Sequence, residues 1–466
     1  MSCLGVAALL SILRLFPALW CAALLSGCFA PLVPDLPRPH AQQWDGQIAN
    51  EGPVVELRAW WHVLGDPQLD ALVQEALDQN LDLAQMLSRV QGERQITERW
   101  NSKFLPALNA DAHPVQDVSA QDAYFHASLD MVWELGLFGA MENARLKAMA
   151  DLGYAQADLQ SMRVAVVAAV VRNYMDLAQA RRQQALLEET ARLDEQALLL
   201  TQVRWQTHLG SYEALEQARL TQTQTRDQYL NLQERADRAA RALALLLGRE
   251  QPDFLWAMDA QARLPQTFTL RQVPADLVRI RPDISMAQAE VLQAAAQVGV
   301  ARSALYPRLR LGGSILYSYN ITRNMRTSTD SVPSIGPMLD IPLWDWGARR
   351  ARLRASEREL DAALLGYRKA VITAVSEVEQ SLAALMNQQS RIQALQQASQ
   401  ERQQGQTRQQ TLLGLGLSSE LDVLQARRAY LKAQADLELA QDSRVLAFVA
   451  LYKALGGAPL PQEQEP

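Results

Sequence analysis

Cysteine is scarce in this sequence, and the little there is lies near one end. The 466 residues include three cysteines, Cys3, Cys21 and Cys28. The rest of the chain can therefore form no internal disulfide and carry no thiol chemistry. Histidine is also sparse, and the five imidazoles have no metal-ligand spacing: His40, His62, His113, His126 and His208. We expect no catalytic site and no metal or other cofactor.

Other signals of chemistry are missing as well. No glycine-rich phosphate-binding loop occurs, since Gly312-Gly313 lies inside an alternating strand pattern. Acidic side chains are many, but they sit on helical patterns with arginine partners, which is typical of a solvated helix surface. The formal net charge is −6 and no basic patch stands out, so nucleic acid binding is not expected. The sequence therefore predicts that the protein is not an enzyme.

The N-terminal segment has the features of a bacterial lipoprotein signal. The apolar run Leu15–Leu25 follows Arg14 and is too short for an ordinary spanning helix. It ends in Leu25-Ser26-Gly27-Cys28, which resembles a lipobox. We predict a signal peptide over 1–27 and lipidation of Cys28, and the absence of Asp after this cysteine favours the outer membrane. A buried N-terminal helix is the alternative.

The sequence also has no long apolar runs beyond its N-terminal segment, but it has short segments in which apolar and polar residues alternate. Beyond residue 27, no segment reaches about 18 apolar residues without a charge, so no transmembrane helix is expected. Strands are predicted at about 105–114, 122–134, 306–320 and 332–343, where apolar and polar residues alternate. Such segments are the signature of outer-membrane barrel strands, and without helices only a closed barrel could span a membrane. A half-buried soluble sheet is the alternative.

Proline is absent from two long helical patterns. Helices of this length favour coiled coil, since globular helices seldom exceed about 25 residues. Each long helix leads through a glycine-containing turn into a return helix. The long and return helices are predicted at 138–208, 212–247, 346–412 and 419–455. A shorter helix is predicted over 68–102, with Asp66 as its N-cap and Pro67 in its first turn.

The chain reads as a tandem repeat. Gln217-Ala218-Arg219 recurs as Gln425-Ala426-Arg427, and Leu247-Gly248 recurs as Leu455-Gly456, both at an offset of 208 residues. We predict two structural repeats, over 68–274 and 275–457. Each would consist of a helix, two strands, a long helix, a turn and a return helix.

Several motifs carry a family resemblance. They are the lipobox, Trp60-Trp61 with Gly65-Asp66-Pro67, Arg281-Pro282-Asp283-Ile284, Pro307, Leu421-Asp422-Val423-Leu424-Gln425-Ala426-Arg427 and Leu451-Tyr452-Lys453-Ala454-Leu455-Gly456-Gly457. Together they resemble the TolC/OprM family of outer-membrane efflux channels, in particular its lipoprotein branch. The resemblance covers essentially the whole chain after the signal peptide.

The resemblance implies a mixed α and β fold that is completed by assembly. Each protomer would give four strands, and three protomers would close one 12-stranded transmembrane β-barrel. The long helices would continue it as a periplasmic α-helical barrel. The lipid-anchored tether over 28–67, the segment 249–274 and the C-terminal tail 458–466 would form or approach an equatorial region around those helices.

The family serves as a passive exit duct across the outer membrane, so the resemblance implies this function for drugs or other small molecules. It also implies a homotrimer in outer membrane lipid, a periplasmic adaptor (membrane fusion) protein, and an inner-membrane transporter of the RND or major-facilitator type. Two alternatives stay open: a non-channel periplasmic coiled-coil adaptor or scaffold lipoprotein, and the exit duct of a type I protein secretion system.

The helical turns are the predicted functional positions. The family resemblance places the periplasmic aperture and the adaptor contact there, at Gly210, Ser211, Glu213, Gly416, Ser418, Ser419, Glu420 and Asp422. For each acid, an ordinary role in stabilising a helix N-terminus is the alternative. The family motif Arg281, Pro282 and Asp283 is predicted to be structural, because Pro followed by Asp suits the start of a helix.

Overall fold

The computed structural model of the protein describes residues 34–36, 52–117, 122–270, 280–320 and 330–460. The predicted signal peptide, Cys28 and most of the predicted tether lie outside the described residues. The helices are Pro67–Gln79 (α1), Leu81–Glu98 (α2), Ala140–Gln206 (α3), Tyr212–Leu246 (α4), Pro282–Ser303 (α5), Ala348–Gly414 (α6) and Glu420–Ala454 (α7). The strands are Ala107–Asp117 (β1), Asp122–Glu134 (β2), Arg308–Asn320 (β3) and Asp330–Asp340 (β4). A 3₁₀ segment, Leu57–Leu64, precedes α1.

The tandem repeat is visible in the order and length of these elements. Each half contains two strands, a long helix and a return helix. The long helices α3 and α6 have 67 residues each, and the return helices α4 and α7 have 35 residues each. Of the helices in the described residues, none combines the length and apolar character needed to cross a membrane.

The prediction of one continuous helix over 68–102 is wrong. The chain leaves the helical conformation at Asn80, whose φ is −64° and ψ is 126°. The Asn80 side chain accepts a hydrogen bond from the Leu83 amide (3.0 Å) and donates one to the Leu246 carbonyl (2.8 Å). Asparagine competes for backbone groups in this way, and here it ends α1 and begins α2.

The described residues form two compact units. The first contains 34–36, 89–117, 122–156, 285–320 and 330–369, and so holds all four strands. The second contains 52–88, 157–270, 280–284 and 370–460, and so holds the two helical turns.

The first unit is built on one antiparallel sheet with the strand order β1-β2-β3-β4. Because strand neighbours in the sheet are also neighbours in sequence, β1 and β4 are its two edges. The register places Asp111 opposite Ser128 and His113 opposite His126 on β2. On the next pair, Leu129 lies opposite Ile315 of β3.

This register confirms the predicted alternation, because residues opposite each other share a face of the sheet. One face is mostly polar on the first three strands, with Asn109, Asp111, His113, His126, Ser128, Asp130, Ser314 and Ser318. The other face is apolar, and the chain itself leaves many of its side chains exposed: Leu108, Phe125, Leu129, Ile315, Tyr317, Tyr319, Ile335 and Leu339. An uncovered apolar face is unfavourable in water and therefore indicates a partner surface or a membrane.

The second unit has an aromatic core that joins two of the sequence motifs. Trp60 is fully buried and stacks on Tyr452 of α7, with ring centroids 5.7 Å apart. Its Nε1 donates a hydrogen bond to the Gly457 carbonyl at 3.0 Å. A Cβ atom at Gly457 would lie 2.8 Å from the Leu57 carbonyl oxygen, so glycine is needed for this close approach.

Asp66 also holds the second unit together. As predicted, it is the N-cap of α1, since Oδ1 accepts from the amides of Gln68 and Leu69 at 3.0 and 3.3 Å. Its Oδ2 accepts from the Tyr174 hydroxyl on α3 at 2.8 Å and from the Gln261 amide at 3.0 Å. Burial and this carboxylate raise the pKa of Tyr174 above its usual range, so the phenol stays a donor.

Candidate functional site

The turn between α3 and α4 contains the first group of predicted residues. His208 adopts the left-handed conformation with φ 59°. Its amide donates to the Trp205 carbonyl at 3.0 Å, and the Leu209 amide donates to the Arg204 carbonyl at 2.7 Å. This is the Schellman pattern of a helix C-terminus. The left-handed residue is thus a histidine, two positions before the glycine that marked the turn in the sequence.

The turn between α6 and α7 has the same pattern. Gly416 has φ 71°, its amide donates to the Leu413 carbonyl, and the Leu417 amide donates to the Leu412 carbonyl at 2.8 Å. Gly416 is therefore the structural counterpart of His208, at the repeat offset of 208 residues. Ser418, next in the turn, donates from Oγ to Oε1 of Gln409 at 2.8 Å.

Each return helix begins at a serine cap, and the second cap includes a predicted site acid. Ser211 accepts from the Ala214 amide at 3.2 Å. Ser419 and Asp422 form a reciprocal capping box, in which Asp422 Oδ2 accepts from the Ser419 amide at 3.0 Å and from its hydroxyl at 2.6 Å. These hydrogen bonds hold the pKa of Asp422 below its usual value. The helix-stabilising role of Asp422 thus has a direct structural basis, and its role at an aperture stays a prediction.

The other predicted acids differ from Asp422 in their surroundings. Glu213 and Glu420 lie in the first turns of α4 and α7 and are exposed. Neither forms an ion pair with another described residue within 4.0 Å. Their charges therefore face solvent at the turns.

Sequence reasoning missed the apolar character of the two turns. Leu209 is 73 % exposed and Leu417 is 74 % exposed, although turns at the ends of surface helices are usually polar. Tyr212 and Leu415 are exposed beside them. The signal in the sequence is a leucine directly before each turn glycine, Leu209 before Gly210 and Leu415 before Gly416.

Ion pairs between α3 and α7 were also missed. Near the turns, Arg427 is hydrogen-bonded to Glu189, and Arg428 Nε lies 2.8 Å from Asp194 Oδ1. Farther along the same helix pair, Arg182 lies 2.6 Å from Asp442. Sequence gives no direct sign of such pairs, because each joins residues more than 200 positions apart.

Asp442 is a buried carboxylate of the second unit with a raised pKa. Its side chain is 2 % exposed, and burial raises its pKa to about 6 in spite of the nearby charge of Arg182. Only one of its two oxygens finds a hydrogen-bond partner among the described residues. Ionised Asp442 therefore carries an incompletely compensated charge in the helix interface.

The family motif at the start of α5 makes several contacts within the second unit. Arg281 is buried and donates to both carboxylate oxygens of Asp283, at 2.9 and 2.6 Å. It also donates to Glu377 Oε2 at 2.7 Å and to the Ala454 carbonyl at 2.6 Å. One guanidinium thus links the start of α5 to α6 and to the end of α7. Pro282 is the first residue of α5.

No group of three or more His, Cys, Asp or Glu within the described ranges has an arrangement that could hold a metal ion. The residues in the second unit instead form helix caps, ion pairs between helices and two apolar turns.

Comparison with known protein families shows which family this chain belongs to. The family described as outer membrane efflux protein matches residues 72–249 and 273–457, which include both sets of strands and helices. The chain belongs to the outer membrane efflux protein family. The resemblance noted from the sequence motifs is thereby confirmed at the level of the family.

Two named relatives match this chain over nearly their full length. The pyoverdine export outer membrane protein OpmQ of Pseudomonas aeruginosa is 29 % identical over 447 residues, covering 92 % of this chain and 93 % of OpmQ. Outer membrane protein OprJ of the same organism is 30 % identical over 470 residues, covering 94 % and 95 %.

A solved structure extends the match to the fold. The outer-membrane channel OprN superposes with a TM-score of 0.79 at 25 % identity, covering 93 % of this chain and all of the OprN chain. The predicted mixed α and β fold with an internal repeat is confirmed at the level of the single chain.

The buried Asp442 predicts a stability effect that depends on pH. Its folded pKa, about 6, lies above the ordinary value of about 3.8, so the folded state holds the proton more tightly. The contribution of Asp442 is therefore most favourable at acid pH and is lost as the pH rises through 6. The free energy of unfolding of Asp442→Asn, measured relative to that of the wild type, should therefore be higher at pH 7 than at pH 4 by on the order of 1–3 kcal/mol. Unfolding followed by circular dichroism at several pH values measures this difference.

The matched control is Asp361→Asn, because Asp361 pairs with Arg358 on an exposed helix surface. Its stability difference from the wild type should change little over this pH range. A difference for Asp442→Asn that is equally flat would contradict the prediction.

Proposed function

We propose that this protein is the outer membrane channel of a tripartite efflux system, a passive exit duct for small molecules. One observation carries the proposal: the sheet has an exposed apolar face and, on its first three strands, a polar opposite face. A soluble sheet buries its apolar face, whereas a sheet between lipid and a water-filled lumen needs both faces as they are here. OpmQ, a full-length relative, is named for export at the outer membrane, which supports the same function.

The proposal requires assembly, because β1 and β4 have unpaired edges in a single chain. Lipid offers no hydrogen bonds to such edges, so a membrane sheet must close on itself. Pairing β4 of one copy with β1 of the next closes the sheet. Three copies would give 12 strands, the apolar faces meeting lipid and the polar faces lining the lumen.

The helical turns are proposed as the adaptor contact. Their exposed leucines give each turn an apolar surface, and the Schellman and serine caps fix its backbone. A periplasmic adaptor protein would cover Leu209, Tyr212, Leu415 and Leu417. It would link the channel to an inner-membrane transporter of the RND or major-facilitator type.

Anchoring through Cys28 completes the proposal. The lipobox would place acyl chains at the start of the tether, in the periplasmic leaflet of the outer membrane. The competing scaffold function needs no sheet with an exposed apolar face, and this observation favours the channel.

Assembly is tested by cross-linking between the sheet edges. Ala112→Cys on β1 is combined in turn with Ile335→Cys, Gly336→Cys and Pro337→Cys on β4. At least one pair should give dimer and trimer bands under oxidation, and the untreated protein should conduct ions in planar bilayers. Ala112→Cys with Ile315→Cys on the central strand β3 is the matched control and should stay monomeric on denaturing gels. A protein that gives no cross-links and no conductance would contradict the channel.

The role of the turns is tested by placing charge on their apolar surface. The double variant Leu209→Asp, Leu417→Asp should lose most efflux in cells, because the adaptor contact would have to bury two carboxylates. Its conductance in planar bilayers should be unchanged. Leu245→Asp, at an equally exposed leucine near the other end of α4, is the control. If the double variant exports as well as this control, the turns do not form the contact.

Lipidation is tested by metabolic labelling with a palmitate analogue. Cys28→Ala should abolish acyl labelling, whereas Cys21→Ala, within the predicted signal peptide, should leave it intact. Labelling that persists in Cys28→Ala would show that the modified residue lies elsewhere.

A further inference from the structure

Two histidines meet on the polar face of the sheet. His113 of β1 lies directly opposite His126 of β2 in the register. Their ring centroids are 5.9 Å apart and the rings are inclined at 66°. Directly opposed residues of an antiparallel pair project to the same side, so both imidazoles reach the same space above the sheet.

A carboxylate orients one of these rings. Asp111, two residues before His113 on the same face, is hydrogen-bonded through Oδ1 to Nδ1 of His113. An Nδ1–H that donates to a carboxylate leaves Nε2 as the free lone pair. This is the arrangement by which proteins prepare a histidine for metal binding, the carboxylate fixing both tautomer and ring orientation.

We propose that His113 and His126 form a two-histidine chelate for a divalent transition metal ion such as Zn²⁺, Ni²⁺ or Cu²⁺, with Asp111 as a positioning residue. Imidazole nitrogen is a preferred ligand for these ions, and Cu²⁺ should bind most tightly. Water completes the coordination. The chelate has two protein ligands and not three, which agrees with the absence of larger metal-binding groups among the described residues. Such a site holds its ion weakly and exchangeably.

The surroundings leave space for the ion and its waters. His113 is 55 % exposed and Asp111 is 63 % exposed. The neighbours across the register are small hydroxyl residues, Ser128 opposite Asp111 and Ser318 opposite His126. The chelate needs only β1 and β2. Its position in a lumen, where three copies would place three chelates at one level, rests on the proposed function.

Calorimetric titration of the detergent-solubilised full chain, purified without a histidine tag, with ZnCl₂ or NiCl₂ tests the proposal. The wild type should bind one ion per chain. His113→Ala and His126→Ala should each abolish this binding, and Asp111→Asn should weaken it by about 10- to 100-fold. Circular dichroism of each variant verifies that the fold is kept.

His62 provides the matched control. It is also 55 % exposed and lies 2.8 Å from a carboxylate, that of Asp70, but it has no opposing imidazole among the described residues. His62→Ala should leave metal binding unchanged. The proposal is overturned if the wild type binds no metal, or if binding survives both His113→Ala and His126→Ala. Because the titration does not depend on conductance, a failed channel and a failed chelate give different results.

Discussion

The rest of the structure depends on one constraint: the sheet of a single chain has two unpaired edge strands and an exposed apolar face. Both faces of the four strands are uncovered by the described chain, and β1 and β4 have no neighbour on their outer sides. Each buried Å² of apolar surface is worth about 25 cal/mol, so the apolar face strongly favours an environment that removes it from water. In lipid, the edge amides and carbonyls would in turn need another strand. A closed sheet in lipid satisfies both requirements at once.

The two repeats share a fold but differ in the charged residues of their return helices. This difference decides which return helix forms ion pairs with another helix. At the repeat offset of 208 residues, Arg427 corresponds to Arg219 and Arg428 to Leu220. Arg427 and Arg428 join α7 to acidic residues of α3, whereas Arg219 forms no ion pair within the described residues. Asp442 corresponds to Glu234, which pairs locally with Arg238. Among the residues that the structure describes, ion pairs therefore join the return helix α7 to α3, whereas none joins the return helix α4 to another helix.

Local rules predicted much of this architecture, and long-range contacts account for what they missed. Alternation in the strands has a period of two, so the polar and apolar faces of the sheet were predictable from it, whereas the pairing register was not. The two 67-residue helices and the two return helices could also be predicted, because none of these four helices contains proline. The break between α1 and α2 at Asn80 could not be predicted, since it involves a hydrogen bond to Leu246, 166 positions away. For the same reason the burial of Asp442 could not be predicted, because its partner Arg182 lies 260 positions away.

The turns show that one local pattern is compatible with two roles. Acids at the start of a helix suit both a helix cap and the predicted aperture, and the sequence alone does not separate the two roles. The hydrogen bonds from Ser419 show that Asp422 caps α7, and its role at an aperture stays a prediction. What the two turns share is different: a left-handed residue, His208 or Gly416, followed by an exposed leucine. Because the repeat keeps the apolar residue and varies the charged ones, apolar contact is the common property of the turns and the one that a docking partner would recognise.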